Sequence, residues 1–228
     1  MKFNKIVALV PMRHHSQRVP QKNFRDLAGQ PLYKHILLSL QKCKLIDEIV
    51  VDTDSPVIQE GLASAFPAVT VLIRPEYLCA DTVPMNEILF HDTKEVPADL
   101  YLQTHSTNPL LRSATIEKAI QDFSAAYPAY DSLFSVTRLQ TRLWDALARP
   151  INHNPAILLQ TQDLPPVYEE NSCLYLFTHE TLMKKRTRIG ERPLMFEISA
   201  LEAQDIDEEQ DFLIADLLLK YRQRNDLL

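Results

Sequence analysis

The chain has 228 residues, 46% of them hydrophobic, which is enough to bury a substantial core in one domain. Its formal net charge of −6 argues against nucleic acid as a general partner, because duplex binding depends on many Lys and Arg contacts to phosphate. The amino terminus has no cleavable signal pattern, and no apolar stretch is long enough to span a bilayer, so we expect a cytoplasmic protein without membrane contact. Three widely spaced cysteines, Cys43, Cys79 and Cys173, indicate neither a disulfide framework nor a zinc site.

Apolar strands and amphipathic helices alternate along the chain, which predicts βαβ units and a mostly parallel sheet. The predicted strands cover residues 6–11, 48–54, 69–73, 100–103 and 132–136. The predicted helices cover residues 32–43, 57–65, 114–126 and 208–224. From about 139 to 175 the pattern loosens into Pro, Asn and Gln, so this region is a candidate subdomain or oligomer arm.

The loop after the first strand carries three cations, Arg13, Arg18 and Lys22, together with Ser16 and no acidic residue. Arg and Lys aim donors at phosphate oxygens, and open α/β sheets bind ligands beyond the carboxyl ends of their strands. The loop therefore predicts a nucleotide phosphate site. The alternative is that these side chains only solvate an exposed loop.

The same loop resembles the signature loop of the CMP-sugar-acid synthetases, the cytidylyltransferases that activate sialic acids and the octulosonic acid Kdo. The resemblance lies in the arrangement Pro11-x-Arg13-x-x-Ser16-x-Arg18-Val19-Pro20-x-Lys22-Asn23. It implies an α/β, Rossmann-like (GT-A-like) nucleotidyltransferase fold with a mostly parallel sheet over residues 1–228. It also implies that Arg13 and Lys22 are catalytic and that nucleotide contacts come from Pro11, Arg13, His15, Ser16, Arg18, Lys22 and Asn23.

Two further segments are similar to motifs of this family. The first is Arg74-Pro75-x-x-Leu78-x-Ala80-Asp81-Thr82, by which Asp81 and Thr82 would contact the nucleotide. The second begins at Leu102-Gln103 and ends at Leu111-Arg112, by which Gln103 would contact the sugar. The alternative for Gln103 is an ordinary amide at the end of a strand.

Asp205 and Asp207 precede the last predicted helix. Carboxylates at i and i+2 on an extended segment point to the same side, so the pair can share one hard cation. The alternative for Asp207 is a helix N-cap, with Gln210 as its capping-box partner. The segment looks like the family's Asp-Ile-Asp motif, which implies that both residues are catalytic and bind Mg²⁺.

The segment from 161 to 175 is similar to a sugar-site segment of the sialic acid branch, with two departures. By that likeness Asn171 and Tyr175 would bind substrate. Thr161 replaces an arginine that helps to bind the acidic sugar, and Ser172 replaces a glycine. A hydroxyl cannot imitate a guanidinium that pairs with a carboxylate, so the acid differs from ordinary N-acetylneuraminate or another cation takes over. The expected candidates for that cation are Arg138, Arg142 and Arg149.

The resemblance implies a homodimeric enzyme that uses CTP to activate a sialic-acid-like nonulosonic or related sugar acid, releasing pyrophosphate. Residues 139–176 would form a dimerisation and substrate-capping insert, and Tyr175 would act in the neighbouring site. The lone tryptophan, Trp144, belongs to a core or an interface rather than to ligand stacking. The alternatives are a nucleotidyltransferase for a phosphonate, a sugar phosphate or a Kdo-like acid, a glycosyltransferase of similar topology, and a non-catalytic nucleotide-binding module.

Overall fold

A seven-stranded sheet forms the centre of the computed structural model, which describes residues 3–16 and 18–225. Its strands are β1 (Ile6–Leu9), β4 (Glu48–Thr53), β5 (Thr70–Ile73), β6 (Leu100–Thr104), β7 (Ser132–Leu139), β8 (Val167–Phe177) and β9 (Pro193–Glu197). A separate hairpin consists of β2 (Asp26–Leu27) and β3 (Gln30–Pro31). The spatial order of the large sheet is β5-β4-β1-β6-β8-β7-β9.

The part of the sheet around β1 is parallel, as the alternation of strands and helices predicts. Ala8 of β1 lies opposite Ile49 on one side and Leu102 on the other, in both cases in parallel register. β5 is parallel to β4, so the loops after β1, β4, β5 and β6 open at the same edge. β8 runs antiparallel to both β6 and β7, while β9 is parallel to β7.

Helices cover both faces of this sheet because its strands are apolar on both sides. Their bounds are α1 (Leu32–Lys42), α2 (Pro56–Ala65), α3 (Met85–Glu95), α4 (Ser113–Ala126), α5 (His179–Lys185) and α6 (Glu209–Arg224). Apolar side chains of α1, α2 and α4 pack with Ala8 and Val10 on one face. Those of α3 and α5 pack with Val7 and Leu9 on the other. α6 packs against the β2-β3 hairpin through Phe212 and neighbouring apolar residues.

The elements α3, α5 and β9 are among those that lie where no element is predicted, and each lacks a usual signal. α3 follows Pro84, whose side chain cannot cap, and its buried residues 88–90 are consecutive instead of helically spaced. α5 has only seven residues. β9 begins with Pro193 and lies at the edge of the sheet, where a strand can begin with proline.

The predicted irregular region is shorter than expected. It ends before Val167, because Val167–Phe177 forms β8 in the middle of the sheet instead of an insert reaching to 176. We call residues 140–166 the arm. The arm is held by hydrogen bonds of polar side chains: Asn152 accepts from the Leu143 amide at 2.9 Å and donates to the Thr141 carbonyl at 2.7 Å.

Among the described residues, no helix is both long and apolar enough to cross a membrane.

Candidate active site

A cleft of about 560 Å³ opens at the edge of the sheet where β1, β5 and β6 end. The cleft is lined by the basic loop, the segment after β5, the loop after β6 and the residues just before α6. Several of the residues predicted to bind nucleotide or metal lie along it: Pro11, Arg13, His15, Ser16, Arg18, Lys22, Asn23, Asp81, Asp205 and Asp207. The fold thus brings together segments that are almost 200 positions apart in the chain.

The three cations of the basic loop are all held by acceptors across the cleft. Arg13 donates to a carboxylate oxygen of Asp81, and Arg18 pairs with Asp207 at 2.6 Å. Lys22 donates to the Ile206 carbonyl at 2.5 Å and lies 3.7 Å from Asp207. Burial lowers the pKa of Lys22, although the two nearby aspartates oppose this shift. The loop therefore places a row of cations along the cleft. Such a row can bind the negatively charged oxygens of a polyphosphate.

Asn23 stabilises the basic loop through two side-chain hydrogen bonds. Its side-chain amide donates to the Arg13 carbonyl at 2.8 Å, and its oxygen accepts from the Ser106 hydroxyl at 2.7 Å. At the other end, the His14 amide donates to Asp54 at 2.7 Å, which ties the loop to the end of β4. Asp54 and Ser106 are thus structural partners of the loop, and His15 remains exposed on the cleft wall.

Asp205 and Asp207 lie in an extended segment immediately before α6. Asp205 accepts from the Ile206 amide at 3.0 Å and from the Asn108 side chain at 3.4 Å. Burial raises the pKa of Asp205, and the charge of Asp207 adds to this shift. The alternative of Asp207 as a helix cap is wrong. Glu208 is the N-cap and forms a capping box with Asp211, because α6 starts one residue later than predicted.

The loop after β6 forms the other end of the cleft, and Gln103 lies beneath it. The Gln103 amide nitrogen lies 3.1 Å from Nε2 of His105, and its oxygen accepts a hydrogen bond from Arg188. Burial, followed by the charges of Arg188 and Lys22, lowers the pKa of His105 to about 3. His105 is therefore a neutral imidazole at physiological pH, and its Nε2 accepts from Gln103.

Four predicted contact residues do not line the cleft, and the first is Gln103, which is fully buried beneath it. Thr82 lies next to its rim, at an exposed position. Asn171 is buried in the sheet, where it accepts from Ser135 at 2.6 Å and donates to Thr137 at 3.0 Å, both on β7. Tyr175 is fully buried, and its hydroxyl donates to Glu170 of its own chain, which does not support a role in a neighbouring site.

A model of the cytidylyltransferase family matches residues 7–226. The chain belongs to this family. It is 27% identical to the CMP-N,N'-diacetyllegionaminic acid synthase of Legionella pneumophila, over 96% of this chain and 98% of that protein. It is 24% identical to the post-translational flagellin modification protein B of Campylobacter coli, over 96% of both chains. A solved CMP:2-keto-3-deoxy-manno-octonic acid synthetase with bound CTP has the same fold, with a TM-score of 0.72 and 16% identity over 96% of this chain and all of that one.

The three arginines expected as candidates to replace the arginine missing at Thr161 lie outside the cleft lining of this cytidylyltransferase. Arg142 donates to the Leu159 carbonyl and Arg149 pairs with Asp145, both within the arm. Arg138 lies exposed on β7, and none of the three lines the cleft. The cation at this end is Arg188, which follows α5 in a segment without hydrophobic periodicity, so no sequence signal marks it.

Sequence reasoning also missed a buried charge cluster behind the nucleotide wall of this cytidylyltransferase. Arg74 and Asp52 form an ion pair that is almost entirely buried. Asp92 of α3 lies beside them, and neither of its carboxyl oxygens has a donor among the described residues. Burial and the charge of Asp52 raise the pKa of Asp92 to about 9. Asp92 therefore carries a proton that it can share with the carboxylate of Asp52. The ion pair with Asp52 keeps Arg74 fixed in the wall of the cleft.

The donor set at Asp205 and Asp207 fits a magnesium ion. Mg²⁺ is held in nucleotide enzymes by one or two carboxylates together with substrate phosphates. Both aspartates line the cleft opposite the cations of the basic loop. The raised pKa of Asp205 reflects burial and the neighbouring negative charge, which a divalent cation would offset.

Proposed function

We propose that this cytidylyltransferase transfers CMP from CTP to a sialic-acid-like nonulosonic acid or a related sugar acid, releasing pyrophosphate. The observation that carries the proposal is the two-ended cleft. One end is a row of cations facing two carboxylates, which suits a triphosphate and its metal. The other end, around Gln103 and His105, is polar and neutral apart from one arginine, which suits a sugar acid.

The basic loop would hold the triphosphate. Arg13, Arg18 and Lys22 already point across the cleft to carboxylate or carbonyl acceptors, and phosphate oxygens can replace those acceptors. A hydroxyl oxygen of the acid attacks the α-phosphorus of CTP. A new phosphorus–oxygen bond to the acid forms, and the bond between the α-phosphorus and pyrophosphate breaks. Positioning and neutralisation of charge supply most of the rate enhancement in such transfers.

Asp205 and Asp207 would hold Mg²⁺ on the triphosphate. The ion, when bound, supplies charge neutralisation to the phosphate oxygens and lowers the pKa of a coordinated hydroxyl. The chain's own part is to place both carboxylates on the open side of the cleft, with Asp205 fixed by the Ile206 amide. Lys22, 3.7 Å from Asp207, then links the metal side to the cationic wall.

We also propose a cytoplasmic homodimer formed through the arm. Several large apolar side chains of the arm are exposed, including Leu147 at 72% and Leu158 at 89%. Trp144 is 49% exposed and stacks edge-on against His153, so it is available to an interface. Solvent exposure of this many apolar groups on one segment is typical of a surface covered in the assembly.

The test is pyrophosphate release with CTP, Mg²⁺ and a panel of acceptors. The panel contains N-acetylneuraminate, its deaminated analogue, legionaminate, Kdo and a simple phosphonate. We expect release with a sugar acid that depends on CTP in preference to ATP, GTP and UTP. Bound CTP without release from any acid would contradict the proposal, and release with the phosphonate alone would favour the other nucleotidyltransferase class.

A further inference from the structure

Arg188 is the one cation lining the cleft that forms no ion pair with a carboxylate of residues 3–16 and 18–225. The other four are paired: Arg13 with Asp81, Arg18 and Lys22 with Asp207, and Arg74 with Asp52. Glu170 is the acidic residue whose charge acts on Arg188, but its carboxylate accepts the Tyr175 hydroxyl instead. A half-buried guanidinium without a carboxylate is costly unless a ligand completes it.

The guanidinium of Arg188 is held in one orientation. Its central carbon lies 3.5 Å from the centroid of the Tyr175 ring, which fixes the plane of the group. One terminal nitrogen donates to Gln103, and the backbone amide of Arg188 donates to Asn86 at 3.2 Å. The side chain of Tyr175 is the other group that interacts with the guanidinium, and Arg188 itself lines the cleft. A fixed planar fork of this kind matches a carboxylate through two parallel hydrogen bonds.

Arg188 reaches the cleft beside Gln103 and Tyr175, whereas Arg13, Arg18 and Lys22 belong to the loop after β1. His105 also lines the cleft, and its Nε2 lies 3.1 Å from the amide nitrogen of Gln103, the partner of Arg188. The imidazole is neutral, so the cleft contains two separate positive regions and not one continuous basic surface. Two separate positive regions call for two separate anionic groups in the bound ligands.

We propose that Arg188 binds the carboxylate of the acid acceptor and is the residue that selects an acid over a neutral sugar. This inference rests on the proposed function. Gln103 would position Arg188 from below, because its oxygen accepts one guanidinium N–H and its amide is held by His105. Thr161, exposed on the arm, plays no part in this recognition.

The experiment compares the accepted sugar acid with its methyl ester, which keeps the sugar and removes the negative charge. Steady-state pyrophosphate release is measured for wild type, Arg188→Met, Arg188→Lys and Arg192→Met. Arg192 is a matched control, because it is exposed on the same stretch of chain and, among the described residues, its side chain donates only to the Pro128 carbonyl. Thermal melting of each variant checks folding.

We expect wild type to prefer the acid over the ester by at least about tenfold in kcat/KM, and Arg188→Met to abolish that preference. The loss is expected in the KM for the acid, with the ester and the KM for CTP changed by less than about twofold. Arg188→Lys retains a charge and is expected to keep part of the preference, which provides a test if Arg188→Met does not fold. Arg192→Met should match wild type.

Equal losses for acid and ester in Arg188→Met would assign Arg188 a merely structural role and overturn the inference. An unchanged preference for the acid would overturn it as well. In both cases wild type still releases pyrophosphate, so the proposed function stands. Absence of release by wild type with every acid, seen before any variant is made, would instead remove the proposed function and the inference together.

Discussion

Asp205 is the carboxylate whose replacement separates a catalytic role from a structural one. Asp205→Asn keeps the shape and an oxygen for the Ile206 amide but removes the charge. We expect pyrophosphate release to fall by about 10²-fold or more. We expect the melting temperature to stay level or rise, because burial and Asp207 both disfavour the charged form.

Arg13→Ala and Lys22→Ala serve as comparisons for that variant, since each is expected to raise the KM for CTP. Asp205→Asn should differ from them by lowering kcat at saturating CTP. If Asp205→Asn melted the protein and left turnover intact, the metal assignment would be wrong and Asp205 would be a structural anchor of the segment before α6.

Asp92 predicts an unusual dependence of stability on pH. Its pKa is about 9 in the folded protein against 3.8 ordinarily, so between these values the folded state keeps a proton that the unfolded chain loses. The free energy of unfolding therefore falls as the pH rises through that window. Asp92→Asn supplies a permanent donor to Asp52 and removes the dependence.

We expect Asp92→Asn to raise the melting temperature by about 3 °C at pH 8, which corresponds to about 1 kcal/mol, and by less at pH 5. The control is Asp122→Asn, on the exposed side of α4, where the change should stay within about 0.5 kcal/mol at both pH values. A gain at pH 5 equal to that at pH 8 would rule out the shared proton.

At the scale of the element, β8 contains a backbone irregularity at Ser172. Ser172 has a φ of 58°, in the left-handed region that favours glycine, and the register of β8 against β7 shifts opposite it. Its hydroxyl lies 3.1 Å from the Tyr175 hydroxyl oxygen and can donate to it, which links the irregularity to the ring beneath Arg188.

Ser172→Gly and Ser172→Ala both remove that hydrogen bond, but only glycine relieves the backbone strain. We expect Ser172→Gly to be more stable than Ser172→Ala by about 1 kcal/mol in urea unfolding. Ser172→Gly itself should lie close to wild type, because the relieved strain offsets the lost bond. Equal stability of the two variants would mean that the backbone leaves the left-handed region when the side chain is shortened.

At the scale of the whole molecule, the proposed homodimer predicts that the exposed leucines of the arm lie in an interface. Light scattering of the wild type should give twice the chain mass of 26.2 kDa. Leu158→Asp, combined with Leu147→Asp, should give monomers, because each buried leucine contributes about 1.5–3 kcal/mol to an interface. Circular dichroism should be unchanged, since both side chains are exposed in the single chain.

The control for that variant is Val57→Asp, which places a charge on an exposed position in the first turn of α2, away from the arm. It should remain dimeric, and an acid at a helix N-terminus is tolerated. A double arm variant that stayed dimeric would move the interface to another surface. A monomeric wild type would remove the homodimer from the proposal altogether.

The sequence by itself determined the parallel half of the sheet and most of the charged residues that line the cleft. β1, β4 and β6 are short apolar strands, and the helices α1, α2 and α4 have regular apolar spacing, so local pattern was sufficient. The basic loop and Asp205 with Asp207 were predicted from residue type and spacing, because their chemistry is local to each segment.

Only the tertiary structure determined which side chains surround Arg188 at the cleft. Arg188 reaches the cleft because α5 and β9 place it against Gln103 and Tyr175, and none of those contacts leaves a trace in local pattern. Asn171 is saturated by partners on β7, which only strand pairing reveals. The proton at Asp92 likewise depends on burial beside Asp52. Short-range patterns determine which elements form, whereas long-range packing determines which side chains meet and which charges remain without a partner.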